Sequence, residues 1–482
     1  MGKEIYVFDS ALNIRISLTT DGSLDELSIE SKNAYSLVEG VYLGKVIKVV
    51  PGIDAAFIDC GLAQDAFLNL EGVKGGTDLD KQLVDMKPLT EGSKMLIQVK
   101  SDARDGKGPR VSSEISLVGK YTVFRPVAGA VTISRRIIDK NERARLNMIF
   151  SENKKVDESF IIRTAARGQN NETILYEIAR LRKAWIDIGN LKGLTESVGL
   201  VWPAPNVTER FFRDYLPPEV ESVIVSDNST MLEEVKGYCK TYCPEAVGLV
   251  EAPAHQRAKI VEENLEDQLE EVGASNVRLP SGGRLYFDEP RSMTTVDVDT
   301  GEHSAKGGRS SVAFQTNLEA ASVLGRQIRL RNIGGLIVID FVGMKHGKDR
   351  QRVLKALRIS LNEDIAPVRI SGFSEFGVVE LTRYRRGFSY SKVMKEICQN
   401  CEGEGQVKNI RAVIDDLFVA LSREIFSTKK TKFSVVSNGR TINFIREYCL
   451  EKFGEVEKSR AVKIDLMVDP DIKGVEFRIV SG

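Results

Sequence analysis

The sequence predicts a multidomain chain that combines α/β and α+β units. The length of 482 residues is enough for about three domains at roughly 150 residues each. Residues 40–118 are rich in glycine and β-branched residues, which favours a small barrel of short strands. Residues 284–381 contain an alternating strand, a helix and an apolar strand, and residues 409–482 resemble a small α+β unit. These three different patterns indicate separate domains.

The composition is that of a globular protein with sizeable hydrophobic cores. Hydrophobic residues make up 42% and charged residues 28% of the chain, which excludes a largely disordered protein or a collagen. The 68 Lys and Arg balance the 68 Asp and Glu, so the chain is not a polycation, although a neutral total is compatible with local basic patches. No apolar run reaches the roughly 18 residues of a membrane span, and no signal peptide is recognisable. The sequence therefore predicts a cytoplasmic protein.

Two elements of the first half can be predicted locally. Residues 4–30 alternate as two strands with a turn at Asp21–Gly22, and residues 172–185 are a candidate helix. In the barrel, Phe57 and Phe67 fall in neighbouring strands. Aromatic residues in strands usually pack inwards, so the pattern alone favours the barrel interior for both, with an exposed stacking surface as the alternative.

The later elements carry clearer start and stop signals. Residues 256–272 have apolar residues at helical spacing, and Gly273 is a natural stop. Residues 316–319 form a capping box that predicts a helix running to about residue 331. The apolar run 336–339 is typical of a strand buried on both faces.

Three aspartates form the first candidate site. Residues 294–299 alternate strictly, so Asp297 and Asp299 point to one face of a strand. Asp340 ends the apolar strand, and a strand–helix–strand unit brings such strands side by side. One or two carboxylates suffice to hold Mg²⁺, which activates water towards a phosphate. From the residues alone, the alternative is that Asp340 only caps a loop or pairs with an arginine.

Two cysteines form the second candidate site. Of six cysteines in the chain, Cys398 and Cys401 form a CxxC knuckle that is followed by Gly403 and Gly405. A structural zinc site has four ligands, and the sequence has no second CxxC. The pattern therefore predicts half of a zinc site, completed by the same half of another subunit. A redox pair or two free thiols are the alternatives, although the glycines argue against a thioredoxin-type motif.

Basic residues form the third candidate site. They interleave with aromatic residues after residue 381 and also lie on the helix before Asp340. Cations beside aromatic rings suit phosphate contacts and base stacking in nucleic-acid binding, but an ion-paired surface explains the pattern equally well. The basic residues are Arg326, Arg329, Arg331, Arg383, Arg385, Arg386, Lys392 and Lys395, and the aromatic residues are Tyr384, Phe388 and Tyr390.

Three segments carry a resemblance to a known family. They are Met-Thr-Thr-Val-Asp-Val-Asp at 293–299, Phe-Gln-Thr-Asn-Leu-Glu-Ala-Ala at 314–321, and the run from Arg326 to Phe341 that contains Gly-Gly-Leu-Ile-Val-Ile-Asp. The CxxCxGxG knuckle follows at the expected distance. Over nearly the whole chain, the sequence resembles the RNase E/RNase G family of bacterial endoribonucleases, at the length of members without a long disordered tail.

The resemblance implies a specific domain order. An RNase H-like domain (1–35 and 209–275) is split by an OB-fold RNA-binding domain (36–118) and a 5′-end sensor (119–208). A DNase I-like catalytic domain (276–393), a zinc link (394–408) and a small α+β oligomerisation domain (409–482) follow.

The resemblance also implies roles for individual residues. Asp297 and Asp340 would hold the catalytic Mg²⁺, with Asp299 in support at a position where family members usually have Asn. Phe57, Phe67 and Lys107 match RNA-contacting positions, which places the two rings on the outside of the barrel. The pocket for a 5′-monophosphate would comprise Gly119, Val123, Arg135, Arg163 and Thr164.

The function implied is Mg²⁺-dependent cleavage of single-stranded RNA with a preference for 5′-monophosphorylated substrates. The substrates would be rRNA and tRNA precursors and mRNA, and a homodimer or homotetramer would form through shared Zn²⁺. One departure is that Arg309–Val312 stands where the family has acidic residues, after Lys306-Gly307-Gly308. Two alternatives are a nuclease acting on DNA and a non-catalytic RNA-binding protein, the latter favoured by Asp299 and Arg309.

Overall fold

The computed structural model has a mixed α/β architecture with several sheets, which confirms the predicted multidomain class. It divides into two units, residues 1–394 and 395–482. Among the described residues, no helix is long and apolar enough to cross a membrane. The structure describes residues 2–70, 89–104, 106–194, 197–216, 219–226, 229–252, 265–290, 292–302, 309–472 and 476–482.

Three strands, and not the predicted two, occupy the N-terminal segment. They are β1 (Lys3–Asp9), β2 (Asn13–Thr20) and β3 (Ser23–Ser31). The missed turn is stabilised by Ser10, whose hydroxyl donates to the Asn13 carbonyl and accepts from the Asn13 N–H, both at 2.9 Å. Such a side-chain turn has a weaker sequence signal than Asp21–Gly22, where both residues have positive φ.

The next strands close into a small barrel, in agreement with the strand pattern of residues 40–118. In the sheet order β4-β5-β6-β8-β7, an additional pairing between β4 and β7 completes the circle. Its interior is filled by apolar side chains such as Val46, Ile58 and Leu68. The strands are β4 (Val41–Val50), β5 (Ala55–Asp59), β6 (Ala66–Asn69), β7 (Lys94–Ser101) and β8 (Arg110–Ser112).

A four-stranded sheet with two helices follows the barrel. Its core contains Phe124, Phe150 and Phe160, and the sheet order is β11-β12-β10-β9. The second helix extends to Leu194, beyond the predicted end at residue 185. The elements are β9 (Leu117–Val118), β10 (Thr122–Arg125), β11 (Val131–Ile133), α1 (Lys140–Asn153), β12 (Ser159–Ile162) and α2 (Asn171–Leu194).

The chain then returns to the N-terminal sheet. β13 (Gly199–Trp202) pairs with β4 of the barrel. β14 runs parallel to β1 and gives the sheet order β15-β14-β1-β2-β3. Of the predicted helix 256–272, residues 256–264 lie outside the described residues, and 265–273 are helical (α5). The other elements are α3 (Val207–Tyr215), β14 (Val220–Val225), α4 (Ser229–Tyr242) and β15 (Val250–Glu251).

A six-stranded sheet ends the first unit. Its order is β16-β17-β18-β19-β21-β20, and β18 and β19 are parallel. The strands are β16 (Asn276–Arg278), β17 (Arg284–Asp288), β18 (Thr294–Asp299), β19 (Gly335–Asp340), β20 (Val368–Phe373) and β21 (Val378–Arg383). The helices are α6 (Arg309–Leu330), α7 (Gly347–Leu361) and α8 (Tyr390–Met394).

Two predictions for this sheet are wrong. The helix starts at Arg309, so the capping-box residue Thr316 lies inside it and is fully buried. β19 is not buried on both faces: α6 and α7 cover the face of Ile337 and Ile339, whereas Leu336 on the other face is 38% exposed. A run of strongly apolar residues can therefore form a strand that is buried on one face and exposed to solvent on the other.

The second unit is a small α+β fold, as the pattern of residues 409–482 predicts. Its three-stranded sheet has the order β23-β22-β24, and Leu417, Phe433 and Ile445 are among its core residues. The elements are α9 (Ile410–Ser427), β22 (Lys432–Ser437), α10 (Gly439–Tyr448), α11 (Leu450–Arg460), β23 (Lys463–Val468) and β24 (Phe477–Ser481).

Candidate functional sites

Asp297 and Asp340 lie side by side on the exposed face of the six-stranded sheet. They are register partners in the parallel strands β18 and β19, which are about 4.8 Å apart in such a pair. Both residues are exposed, and Asp299 lies two residues further along β18 on the same face. These three residues are called the acidic edge below. The alternation of β18 and the crossover connection through α6, which makes β18 and β19 parallel neighbours, produce this arrangement.

The acidic edge carries negative charge that no ion pair between the described residues neutralises. None of the ion pairs between described residues includes Asp297, Asp299 or Asp340. The pKa of Asp297 is raised by its partial burial and by the neighbouring charges of Asp340 and Asp299. An arginine partner for Asp340, the alternative left open by the sequence, is therefore not found in the described part of the chain.

The donor set of the acidic edge fits a hard cation. Mg²⁺ usually takes one or two protein carboxylates and fills its other positions with water and substrate phosphate. The Asp297–Asp340 pair meets that requirement, while no group of three or more His, Cys, Asp or Glu in the described residues is arranged to hold a metal. The segment 303–308, which contains Lys306-Gly307-Gly308, lies outside the described residues.

The structure brings four of the five residues of the predicted phosphate pocket together at one end of the four-stranded sheet. Arg163 follows β12, and its Nη1 donates to the Gly119 carbonyl at 2.5 Å. Val123 of β10 pairs with Ile161 of β12. The hydroxyls of Thr164 and Ser134 are 3.0 Å apart. The fifth residue, Arg135, follows Ser134 in the chain and is exposed.

A buried glutamate that the sequence analysis missed fixes this pocket. The carboxylate of Glu177 on α2 accepts the backbone N–H groups of Lys120, Tyr121 and Thr122 at 2.8 Å each. A Cβ at Gly119 would lie 2.5 Å from the same carboxylate, so glycine is required there. Because α2 lies more than 50 residues further along the chain, no local pattern indicates the contact.

Arg163 also takes part in a buried ion cluster centred on Asp214 of α3. Its Nη2 donates to Asp214 Oδ1 at 2.8 Å, Arg386 donates to Asp214 Oδ2, and Arg213 bonds both oxygens. Burial alone would raise the pKa of Asp214, but these three guanidinium charges outweigh burial and hold it well below its usual range. Asp214 with Arg163, Arg213 and Arg386 is called the arginine cluster below.

Several of the candidate basic residues have structural partners. Arg383 is buried and its Nε donates to Asp364 at 2.6 Å. Arg329 pairs with Glu26 at 2.8 Å. Arg331 donates to the carbonyls of residues 274 and 271. All three arginines are buried, two of them in ion pairs and Arg331 in hydrogen bonds to carbonyl groups, so neither a nucleic-acid surface nor an ion-paired surface describes them.

Phe57 and Phe67 lie outside the barrel core. They are register partners in β5 and β6, and their rings form an edge-to-face pair with centroids 6.0 Å apart. Both rings are half-buried, so the barrel interior favoured by the strand pattern is wrong. Arg110 lies over the Phe67 ring, and Lys107 is exposed on the adjacent turn.

In the second unit, the Cys398–Cys401 knuckle favours the thiolate form of Cys398. Cys398 is exposed and Cys401 half-buried. Backbone N–H bonds from Cys401 and Asn400, together with the Cys401 side chain, lower the pKa of Cys398. Positive φ angles at Glu402, Gly403 and Gly405 form the tight turn that follows. Since zinc binds thiolates, this geometry fits half of a zinc site.

Comparison with known proteins identifies the family of the chain. The model of the family described as "Ribonuclease E/G family" matches residues 116–386. Ribonuclease G of Salmonella typhimurium is 30% identical and ribonuclease G of Escherichia coli K12 is 29% identical, each over the full length of both chains. Ribonuclease E of Haemophilus influenzae is 28% identical over 95% of this chain and 49% of its own. The chain is thus a hydrolase. It belongs to the ribonuclease E/G family.

Proposed function

We propose that this protein cleaves single-stranded RNA in a Mg²⁺-dependent reaction at the acidic edge, with a preference for substrates that carry a 5′-monophosphate. Family membership makes the chain an endoribonuclease. The observation that carries the catalytic assignment is the pairing of Asp297 with Asp340 in register on an exposed face. Two adjacent carboxylates that have no cationic partner among the described residues would be stabilised by a divalent ion.

Asp297 and Asp340 would hold the Mg²⁺, and Asp299 would add negative charge beside them. When bound, the ion supplies neutralisation of the charge that develops on the phosphate and activation of a water molecule. The carboxylates fix the position of the reaction on the sheet. The open face around Leu336, which is 38% exposed, leaves space for an RNA strand beside them.

The barrel supplies a second contact with the strand. The half-exposed rings of Phe57 and Phe67 can stack on bases, a contact worth about 1–3 kcal/mol per base that does not require a particular sequence. The Arg110 guanidinium, 5.8 Å from the Phe67 ring centroid, and the exposed Lys107 can contact phosphates. Such contacts require unpaired bases, which supports a preference for single strands.

The pocket around Arg163 supplies the contact with the 5′ end. A guanidinium fork and the Thr164 hydroxyl are suited to a terminal phosphate dianion. The Gly119 carbonyl and the Glu177 carboxylate orient the fork and its loop. A tight cradle of this kind excludes a triphosphate, so a monophosphate is the preferred end.

Zn²⁺ shared between subunits would assemble the enzyme. Cys398 and Cys401 of two chains supply the four thiolates of a closed site, giving a homodimer, or a homotetramer if two dimers associate. We expect about half a zinc atom per chain by mass spectrometry and a smaller oligomer after Cys398→Ser with Cys401→Ser. One zinc per chain, or an unchanged mass by light scattering, would contradict a shared site. The proposed biological role is processing of rRNA and tRNA precursors and decay of mRNA in the cytoplasm.

One experiment tests the proposed activity. A short single-stranded RNA with a 5′-monophosphate is incubated with the protein with and without Mg²⁺, beside the 5′-hydroxyl form and a DNA of the same sequence. We expect Mg²⁺-dependent cleavage of the RNA, faster for the 5′-monophosphate. If the DNA is cleaved as fast as the RNA, the protein is a general nuclease. If the RNA is bound but not cleaved, the protein is a non-catalytic RNA-binding protein.

A further inference from the structure

A cavity of about 410 Å³ opens beside the arginine cluster. Its walls come from β3, the barrel, the four-stranded sheet, α3, the end of α6 and the segment that follows β21. Arg163 and Arg386 line it, and so do Lys100, Tyr384 and Phe388. The cavity therefore joins two residues of the proposed phosphate pocket, Val123 and Arg163, to the segment that follows β21.

The arginine cluster has more positive than negative charge. Arg213 forms a two-point bond with Glu39, at 2.6 and 2.9 Å, so these two charges balance. Among the described residues, Asp214 is then the carboxylate that pairs with both Arg163 and Arg386. Two guanidiniums against one carboxylate leave a surplus positive charge, which is costly in a buried place unless an anion compensates it.

The surplus charge is also the accessible part of the cluster. The Asp214 side chain is only 1% exposed, whereas Arg163 is 17% and Arg386 is 25% exposed. Because the two arginines bond different oxygens of one carboxylate, their guanidiniums are close enough for one phosphate to contact both. A guanidinium has five N–H donors, and the hydrogen bonds to described residues use only Nη1 and Nη2 of Arg163 and Nη2 of Arg386.

We infer that Arg386 is a second guanidinium for the terminal phosphate of the substrate and acts with Arg163 to select a 5′-monophosphate. The inference rests on the proposed 5′-end preference and adds a residue from outside the four-stranded sheet. Asp214 holds the two forks in place and is itself too buried to meet the substrate. Tyr384, which is 49% exposed and lines the cavity, is positioned to stack on the first base.

Binding measurements test the inference without cleavage. The protein, with Mg²⁺ omitted so that cleavage does not occur, is titrated into a fluorescent single-stranded decamer of RNA with a 5′-monophosphate or a 5′-hydroxyl, and the ratio of the two Kd values is compared between variants. We expect Arg386→Gln to reduce the wild-type ratio by about fivefold or more, equivalent to about 1 kcal/mol. A loss of affinity that affects both RNAs equally does not change this ratio.

Arg385→Gln is the matched control, because Arg385 is the neighbouring arginine on the same cavity but its Nε donates to the Gly334 carbonyl. It should retain the wild-type ratio. If Arg386→Gln fails to fold, as judged by thermal melting, Arg386→Lys keeps the charge but not the fork and should still reduce the ratio.

The outcomes separate the inference from the function on which it rests. A wild-type ratio of one would refute the 5′-end preference and the inference with it. If Arg163→Ala abolishes the preference while the folded Arg386 variants keep the wild-type ratio, the pocket is correct and the role of Arg386 is refuted.

Discussion

The acidic edge and the arginine cluster are both built around aspartates, but their environments give opposite results. Asp297 is exposed beside two other carboxylates, and its pKa is raised by partial burial and by its neighbours. Asp214 is buried among three guanidiniums, which hold its pKa well below the usual range despite that burial. In the described part of the chain, the first site has no cationic partner and favours a cation, whereas the second has positive charge in excess and favours an anion. A phosphodiester substrate with a terminal phosphate complements both.

The largest effect is expected from removing a carboxylate of the acidic edge. Asp297→Asn or Asp340→Asn should abolish cleavage and leave RNA binding largely intact, because other parts of the unit hold the strand. Loss of metal-assisted catalysis costs several kcal/mol of barrier, on the order of a hundredfold or more in rate. Rates and Kd values are compared with Glu380→Gln, a change on the same sheet face that should have little effect. Wild-type turnover by either aspartate variant would refute the metal assignment.

Removing the carboxylate of the arginine cluster should instead destabilise the fold. Asp214→Asn leaves three guanidiniums without their central partner and is expected to reduce the free energy of unfolding by about 3–5 kcal/mol at pH 7. Since the folded pKa of Asp214 is lowered, its contribution is present above the ordinary carboxyl pKa of about 4 and is lost as the pH falls further. Denaturant unfolding is measured at several pH values. The free energies of unfolding of wild type and Asp214→Asn should become more similar below a pH of about 4. The control Asp157→Asn, at an exposed aspartate, should change the free energy of unfolding little. If the destabilisation by Asp214→Asn stays the same down to the most acidic pH, the account is contradicted.

A smaller effect is expected from the fork of the phosphate pocket. Arg163→Ala should erase the preference for a 5′-monophosphate over a 5′-hydroxyl, because charge-assisted bonds worth roughly 1.5–3 kcal/mol are lost. This corresponds to about 10–150-fold in kcat/KM for the phosphorylated substrate. Arg167→Ala, a nearby exposed arginine, serves as the control. Discrimination between the two ends at the wild-type level would place the pocket elsewhere.

The smallest effect concerns Asp299, which stands where the family usually has Asn. Asp299→Asn removes one negative charge from the acidic edge without removing Asp297 or Asp340. We expect the Mg²⁺ concentration for half-maximal cleavage to rise by about threefold to tenfold, as a lost neighbouring charge in partly exposed surroundings implies. If Asp299→Asn lowers the Mg²⁺ concentration for half-maximal cleavage, the Asp299 carboxylate misplaces the ion. If that concentration is unchanged, Asp299 does not act on the ion.

The two sites also differ in how far the sequence predicts them. The acidic edge follows from local rules, since strand alternation places Asp297 beside Asp299 on one face and a strand–helix–strand unit aligns Asp340 with Asp297. The arginine cluster does not, because Asp214 is 51 residues from Arg163 and 172 from Arg386. The backbone N–H groups that Glu177 accepts are also more than 50 residues from it in sequence. Only tertiary packing brings such residues together.

The errors in the fold have local physical causes. The turn at Ser10 depends on a side-chain hydrogen bond in place of a glycine, and the start of α6 at Arg309 precedes a capping pattern that lies inside the helix. Phe57 and Phe67 have the composition of core residues, but the smaller side chains that alternate with them fill the barrel. Residue type alone does not determine which face of a strand is buried.

Binding of Mn²⁺, a paramagnetic substitute for Mg²⁺, tests the central claim that the acidic edge holds the catalytic ion. The protein is titrated with Mn²⁺ in the presence of a non-cleavable single-stranded RNA, and free Mn²⁺ is followed by electron paramagnetic resonance. Wild type is predicted to bind one Mn²⁺ per chain, which excess Mg²⁺ displaces, and the Asp297→Asn, Asp340→Asn double variant should lose that site while still binding the RNA. Retention of the bound Mn²⁺ by the double variant would contradict the account.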